Sequence, residues 1–115
     1  DLEGSPLPMG CVVARTEYIK ENPQEVEAFL SAYEKSIDYI NDPANSADAA
    51  ALVAQYEFAP NTKVAEKAIP QCSLTFITGQ EMKTTLEDYY SILFQVEPKS
   101  IGGGLPFDSF YYGVG

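Results

Sequence analysis

The chain has no histidine and no tryptophan, and its 115 residues include only two cysteines and two methionines. Lack of histidine removes the commonest general base and the commonest metal ligand together. Two cysteines cannot complete a four-ligand zinc site, and no CxxC spacing is present. Basic residues are scarce: 7 Lys and Arg stand against 17 Asp and Glu, for a formal net charge of −10. Phosphate backbones and anionic bilayers repel such a surface, so no nucleic-acid partner is expected. Acidity alone accounts for solubility. No apolar run approaches the roughly 20 residues of a membrane-spanning helix, and no signal peptide is visible. The chain opens on Asp1-Leu2-Glu3-Gly4 without an initiator Met, as a processed protein or an excised fragment would.

Within those limits the composition is globular. Hydrophobic residues make up 45% and charged residues 21%, too apolar for a disordered chain. The length suits one domain, able to bury roughly two-thirds of the surface exposed on unfolding.

Residues 2–10 carry Gly4, Pro6, Pro8 and Gly10, which favour extended backbone and forbid a helix. Cys11-Val12-Val13-Ala14 is short, apolar and β-branched and reads as a buried strand. Residues 16–21 read as one or two helical turns. Asn22-Pro23-Gln24-Glu25 is the clearest local signal: an Asn N-cap, a Pro at the first helical position, and a Glu placed to reach back to the cap. Val26, Phe29, Leu30, Tyr33, Ile37 and Ile40 then recur at steps of three and four, predicting one apolar helix face as far as about Asn41. Asp42-Pro43 stops that helix. A second, alanine-rich helix begins near Ser46, with Ala49, Leu52, Val53 and Tyr56 as its stripe, and Phe58-Ala59-Pro60 breaks it. Asn61 is placed to cap a third, short helix that runs to about Ile69 and ends at Pro70.

Cys72 to Ile77 alternates and favours β structure, so it is expected to be extended or a short strand. Thr78-Gly79-Gln80-Glu81 has capping-box spacing and opens a helix bearing Met82, Leu86, Tyr89, Leu93 and Val96, which Pro98 terminates. Residues 99–115 form a glycine-rich, aromatic C-terminal tail that is not expected to be helical. The expected fold class is therefore mainly α, with about four helices and one or two short strands. Two isolated strands need more sheet, or a covering helix, to be stable, so the Cys11 strand points to a sheet completed elsewhere.

The residues give no support for a reaction. Gly102-Gly103-Gly104 lacks the Lys-Ser or Lys-Thr of a phosphate loop and reads as a flexible turn. Glu87-Asp88 and the series Glu25, Glu27, Glu34 read as solvated helix acids rather than paired catalytic carboxylates. Asp42, Asn45 and Asp48 lack the glycine and terminal Glu of a calcium loop. The serines have no histidine to activate them and no GxSxG around them. Tyr89-Tyr90 and Tyr111-Tyr112 suit core or interface packing better than ligand stacking. No cofactor and no metal are expected. Cys11 and Cys72 are either free thiols or one disulfide, which at this loop length would contribute about 4 kcal/mol in the chain-entropy model and would imply an oxidising compartment.

Pro8-Met9-Gly10-Cys11-Val12-Val13-Ala14-Arg15, Tyr18-Ile19-Lys20-Glu21-Asn22-Pro23 and Val26 with Phe29-Leu30 together resemble the C-terminal portion of solute-binding proteins of bacterial ABC importers. The group that binds sulfonates, nitrate, taurine and thiamine-pyrimidine precursors is the nearest in pattern. Pro70-Gln71-Cys72, Gly79-Gln80-Glu81-Met82-Lys83, Pro98-Lys99-Ser100 and the run Gly103 to Tyr112 resemble Gram-positive members. The resemblance covers nearly all of this chain and about the last third of such a protein. It implies an α/β two-lobe type II periplasmic-binding-protein fold, with residues 1–115 as a single fragment from the C-terminal part of the first lobe and residues 1–10 as the hinge or crossover between lobes.

The same resemblance implies a non-enzymatic, extracytoplasmic receptor, periplasmic or lipid-anchored as a lipoprotein. Such a receptor captures a small polar or anionic solute and presents it to an ABC permease. Pro8, Met9 and Gly10 are the candidate ligand-binding residues, with hinge backbone as their plainer role. This subgroup carries cysteines at corresponding places, so a Cys11–Cys72 disulfide is expected, and the two short β-like runs they begin could lie side by side. Most cleft residues would lie in the absent lobe. Self-association of the fragment through the exposed Cys11 strand edge is a further expectation. Two alternatives stand beside this reading. One is a fragment of an enzyme resembling those of thiamine-pyrimidine synthesis, whose chemistry needs histidine. The other is a free-standing helical interaction domain.

Overall fold

The computed structural model describes residues 7–114; the first part of the expected hinge segment, residues 1–6, and the last tail residue, Gly115, lie outside the described residues. Helical turns account for 68% of the structure, and no strand occurs among the described residues. The chain is mainly α. Five α-helices follow in order: α1 (Thr16–Glu21), α2 (Pro23–Asn41), α3 (Ser46–Gln55), α4 (Thr62–Ala68) and α5 (Gly79–Val96). Short 3-10 turns at Pro43–Asn45, Ile69–Gln71, Pro98–Ile101 and Asp108–Phe110 punctuate them, two of them in the glycine-rich tail that was expected to hold no helix. The structure divides into two compact units, residues 14–76 and residues 7–13 with 77–114.

In the 14–76 unit the expected helices form at the expected places, but several ends are tied differently. Asn22 does not cap α2 with its side chain. Its Nδ2 instead donates to the carbonyl of Tyr18 at 3.2 Å, closing the end of α1. With φ −131° and ψ 53° the Asn22 backbone serves both helices, and the side chain satisfies a free carbonyl of α1 rather than a free N–H of α2. Glu25 likewise turns away from the cap and accepts from the Tyr18 hydroxyl at 2.7 Å. Asn61 behaves as its position predicts, accepting from the Val64 N–H at 3.0 Å. Asn45 Nδ2 donates to the Tyr39 carbonyl at 3.0 Å and secures the end of α2.

Helix α3 ends in a Schellman motif: the Phe58 N–H reaches the Val53 carbonyl and the Glu57 N–H reaches that of Ala54, each at 3.0 Å. Glu57 occupies the left-handed position, φ 63°, where glycine is usual. The buried residues of this unit are Ile37, Ala49, Ala50 and Ala65, with Ala50 fully covered. Alanines at these positions let α3 and α4 approach closely, at the cost of a core made from small side chains.

Neither expected strand forms. Residues 11–15 carry no regular structure, and residues 73–78 are irregular. A lone strand has no ladder for its N–H and C=O groups, and the Cys72–Ile77 segment finds partners on α2 instead. Asn41 Nδ2 donates to the Leu74 carbonyl at 2.9 Å. Phe76 tilts against Tyr33 with ring centroids 5.7 Å apart, and Tyr33 stacks on Phe29 at 5.8 Å. No strand, and so no strand edge of the kind expected to mediate self-association, occurs among the described residues.

In the other unit α5 is the organising element, and Thr78 makes no side-chain cap bond to it despite its capping-box spacing. The tail returns along α5. Lys83 Nζ meets Glu87 at 2.6 Å and Asp108 at 3.4 Å, and it lies 5.7 Å from the centroid of the Tyr111 ring. Further on, Gly113 approaches Gly79 so closely that a Cβ on either would contact the other's backbone, and both have positive φ. Tyr111, 4% exposed, is the buried residue of this unit.

Candidate functional site

In the α5 unit, Pro8, Met9, Gly10 and Cys11 lie against Leu86, Tyr89 and Tyr90, and together they line a recess of about 90 Å³. The three residues named as ligand-binding candidates thus share one concavity with two phenol rings. Two features of the sequence produce it. Pro8 and Gly10 keep the segment out of a helix, and Leu86, Tyr89 and Tyr90 project from adjacent turns of α5. The Tyr89 and Tyr90 rings are 6.3 Å apart between centroids and inclined by 46°, so they present differently oriented surfaces. The sequence assigned these tyrosines to packing; the signal that would have placed them at the recess is their three- and four-residue spacing from Leu86.

Burial raises the Tyr90 hydroxyl above the ordinary phenol range, and charge on Cys11 or Tyr89 pushes it further the same way. Tyr90 therefore remains a neutral hydrogen-bond donor at physiological pH. The recess combines a polarizable thioether, a thiol, two phenol rings and apolar carbon. It can stack a flat group, offer phenol donors to an anion, or hold a ligand for sulfur; it offers no imidazole and no carboxylate. Among the described residues no group of three or more His, Cys, Asp or Glu is placed to hold a metal ion.

A larger recess, about 210 Å³, occurs in the 14–76 unit and is lined by Ser36, Tyr39, Ile40, Leu52, Tyr56 and Phe58 among others. Its lining is the apolar stripes of α2 and α3, so it is incompletely covered core rather than a set of converging polar groups.

Cys11 and Cys72 are both free and exposed. The disulfide expected between them from the resemblance is not formed, and the two runs whose pairing would have agreed with it form no strand among the described residues. The Cys72 thiol instead donates to the Ala68 carbonyl at 3.3 Å. Among the described residues no helix is long and apolar enough to cross a membrane. The Tyr111 hydroxyl is buried without a hydrogen-bond partner, an arrangement no sequence pattern signals. Burial, and next to it the charge of Glu87, raises its pKa. No protein-family model, no curated protein and no solved structure matches the chain.

Proposed function

We propose that this chain is the C-terminal part of the first lobe of an extracytoplasmic solute receptor, the substrate-binding component of an ABC importer. The observation that carries this reading is the recess: the Pro8-Met9-Gly10 segment, which the resemblance marks as the crossover between lobes, lines a concavity with Tyr89 and Tyr90. A crossover beside a ligand wall is what a two-lobe receptor requires, because closure selects a conformation in which both lobes touch the solute. The neutral Tyr90 phenol suits a polar or anionic solute as a donor. Here the chain supplies one wall, and the other lobe supplies most of the contacts. Wide exposure of Phe29, Leu52, Tyr56, Phe58, Val96 and Phe107 accords with helix faces covered by the remainder of a larger receptor.

The test is the full reading frame. Expressed whole, the protein is expected to show a lipobox-type signal and a further α/β lobe upstream. Its Tm is expected to rise with one member of a panel of nitrate, taurine, an aliphatic sulfonate and an aminopyrimidine, since a ligand that binds only the native state stabilises it. Replacing Tyr90 with Phe should reduce that rise. A start codon immediately before Asp1, or a Tm that none of these solutes moves, overturns the reading.

A further inference from the structure

We infer that Met9 and Cys11 form a binding site for a soft monovalent metal ion of the copper(I) or silver(I) kind. The chain has two methionines and two cysteines in all, and one of each lies two residues apart with both lining the same recess. Met9 is 90% exposed and Cys11 is an exposed free thiol, so both side chains are open to an ion arriving from solvent. Gly10 between them leaves open space: a Cβ built there meets no atom within 4 Å.

The donor set selects the ion. A thioether and a thiolate are soft ligands that favour copper(I) and its like, whereas calcium and magnesium require several oxygens. The recess supplies no carboxylate and no imidazole, which disfavours hard divalent ions. Binding exchanges the thiol proton for the ion: the S–H bond breaks, the proton leaves to solvent, and sulfur bonds the metal. A monovalent ion on one thiolate is electrically neutral, which suits a site walled by Leu86. The net charge of −10 draws cations toward the surface. Cys72 provides a built-in control, being equally free and exposed but in a stretch of sequence without a methionine nearby.

The inference rests on the two sulfurs and not on the receptor assignment, so silver binding by this chain and solute binding by the full-length protein succeed or fail separately. The experiment uses the reduced, anaerobic chain carrying 13C-methyl methionine and titrated with silver(I). In the Cys72→Ser chain, where no second thiol competes for silver, the Met9 methyl signal is expected to shift and saturate at one equivalent while Met82 stays in place. Cys11→Ser should abolish the shift and Cys72→Ser should leave it intact. In competition with a copper(I) chelator, Met9→Leu should lower the affinity roughly tenfold or more, at least the loss that follows removal of a supporting ligand partner. Both side chains are exposed, so the variants are expected to keep the helical content, checked by far-UV circular dichroism. A Met9 signal that silver does not move, equal effects of Cys11→Ser and Cys72→Ser, or an unchanged affinity in Met9→Leu overturns the proposal.

Discussion

The two units are held together by different physics. The 14–76 unit is a set of short helices whose ends are closed by side chains close in sequence: Asn22 on Tyr18, Asn45 on Tyr39, Asn61 on Val64. Its buried residues are Ile37 and three alanines. The α5 unit has one long helix without a side-chain N-cap. Its tail is fastened by an ammonium group shared between two carboxylates and an aromatic face, and its buried residue is a tyrosine whose hydroxyl has no partner. Local capping and close approach of small residues stabilise the first unit, while long side chains bridging distant positions in the sequence stabilise the second. The contrast predicts that the 14–76 unit is sensitive to lost volume and lost caps, and the α5 unit to lost charge and misplaced polarity.

The sharpest way to break the comparison is to change one buried side chain in each unit. Ile37→Ala removes the largest aliphatic group buried in the 14–76 unit and should destabilise it by about 2–4 kcal/mol, toward the lower part of the range for buried Ile because the site is near the surface. Tyr111→Phe should act in the opposite direction. It keeps the ring and deletes a hydroxyl buried without a partner, so the α5 unit should gain on the order of 1 kcal/mol. Denaturant unfolding monitored by circular dichroism, with hydrogen exchange to assign each effect to its unit, measures both. Loss of stability in Tyr111→Phe would mean that the hydroxyl is satisfied, and the contrast between the units would weaken.

Caps give the next largest effect. Asn61→Ala should cost about 1 kcal/mol because it frees the Val64 N–H. Thr78→Ala should be close to neutral, within about 0.5 kcal/mol of the parent, since no cap bond is there to lose. The same sequence rule nominated both residues, so a difference between them isolates what geometry adds to pattern. Equal losses would show that Thr78 does cap α5 in solution.

These residues also show which parts of the structure were legible in the sequence. Helices α2, α3, α4 and α5 were legible, because apolar spacing with proline, Asn and Asp punctuation is a local property that short windows contain. What each polar side chain bonds was less so: Asn22 could serve either of two adjacent helix ends, and its spacing fits both. The strand expected at Cys11, and the strand offered beside plain extended backbone at Cys72–Ile77, failed to form for a different reason. β-favouring composition says what a segment would do beside a ladder, and here the neighbour of Leu74 and Phe76 is a helix. Of the candidate site, Met9 and its flanking residues were named from a resemblance alone. The wall opposite them, Tyr89 and Tyr90, was weighed for stacking and assigned to packing, because which residues of α5 face the N-terminal segment depends on contacts some eighty residues apart. The orphaned hydroxyl of Tyr111 leaves no trace in any local pattern, since burial of a tail depends on what it folds back upon.

The smallest effect, and the most finely resolved comparison, is alkaline titration. Lys83 is raised, first by its bond to Glu87 and then, against opposing burial, by Asp108; Tyr90 and Tyr111 are raised chiefly by burial. All three lie in the α5 unit. A group whose folded pKa exceeds its unfolded value lends stability that is fully present below the unfolded value and is lost as pH rises through the folded one. For these groups the loss begins near the ordinary phenol and ammonium values, about 10, and continues upward. In the 14–76 unit, Tyr18 is raised by its bond to Glu25, but that pair is on the surface, where water screens its contribution. Alkali should therefore loosen the α5 unit first. With eight tyrosines and no tryptophan in the chain, tyrosinate absorbance reports the titration without interference. Tyr18, Tyr90 and Tyr111 should ionise above the ordinary phenol value, in a late phase of the titration. Phe substitution of Tyr90 or Tyr111 should each remove part of the late phase, and the late phase should coincide with loss of the near-UV circular dichroism of the α5 unit. A single transition accounting for all eight phenols would show that burial in the α5 unit does not outlast the general alkaline titration, and the distinction between the units would then rest on caps and volume alone.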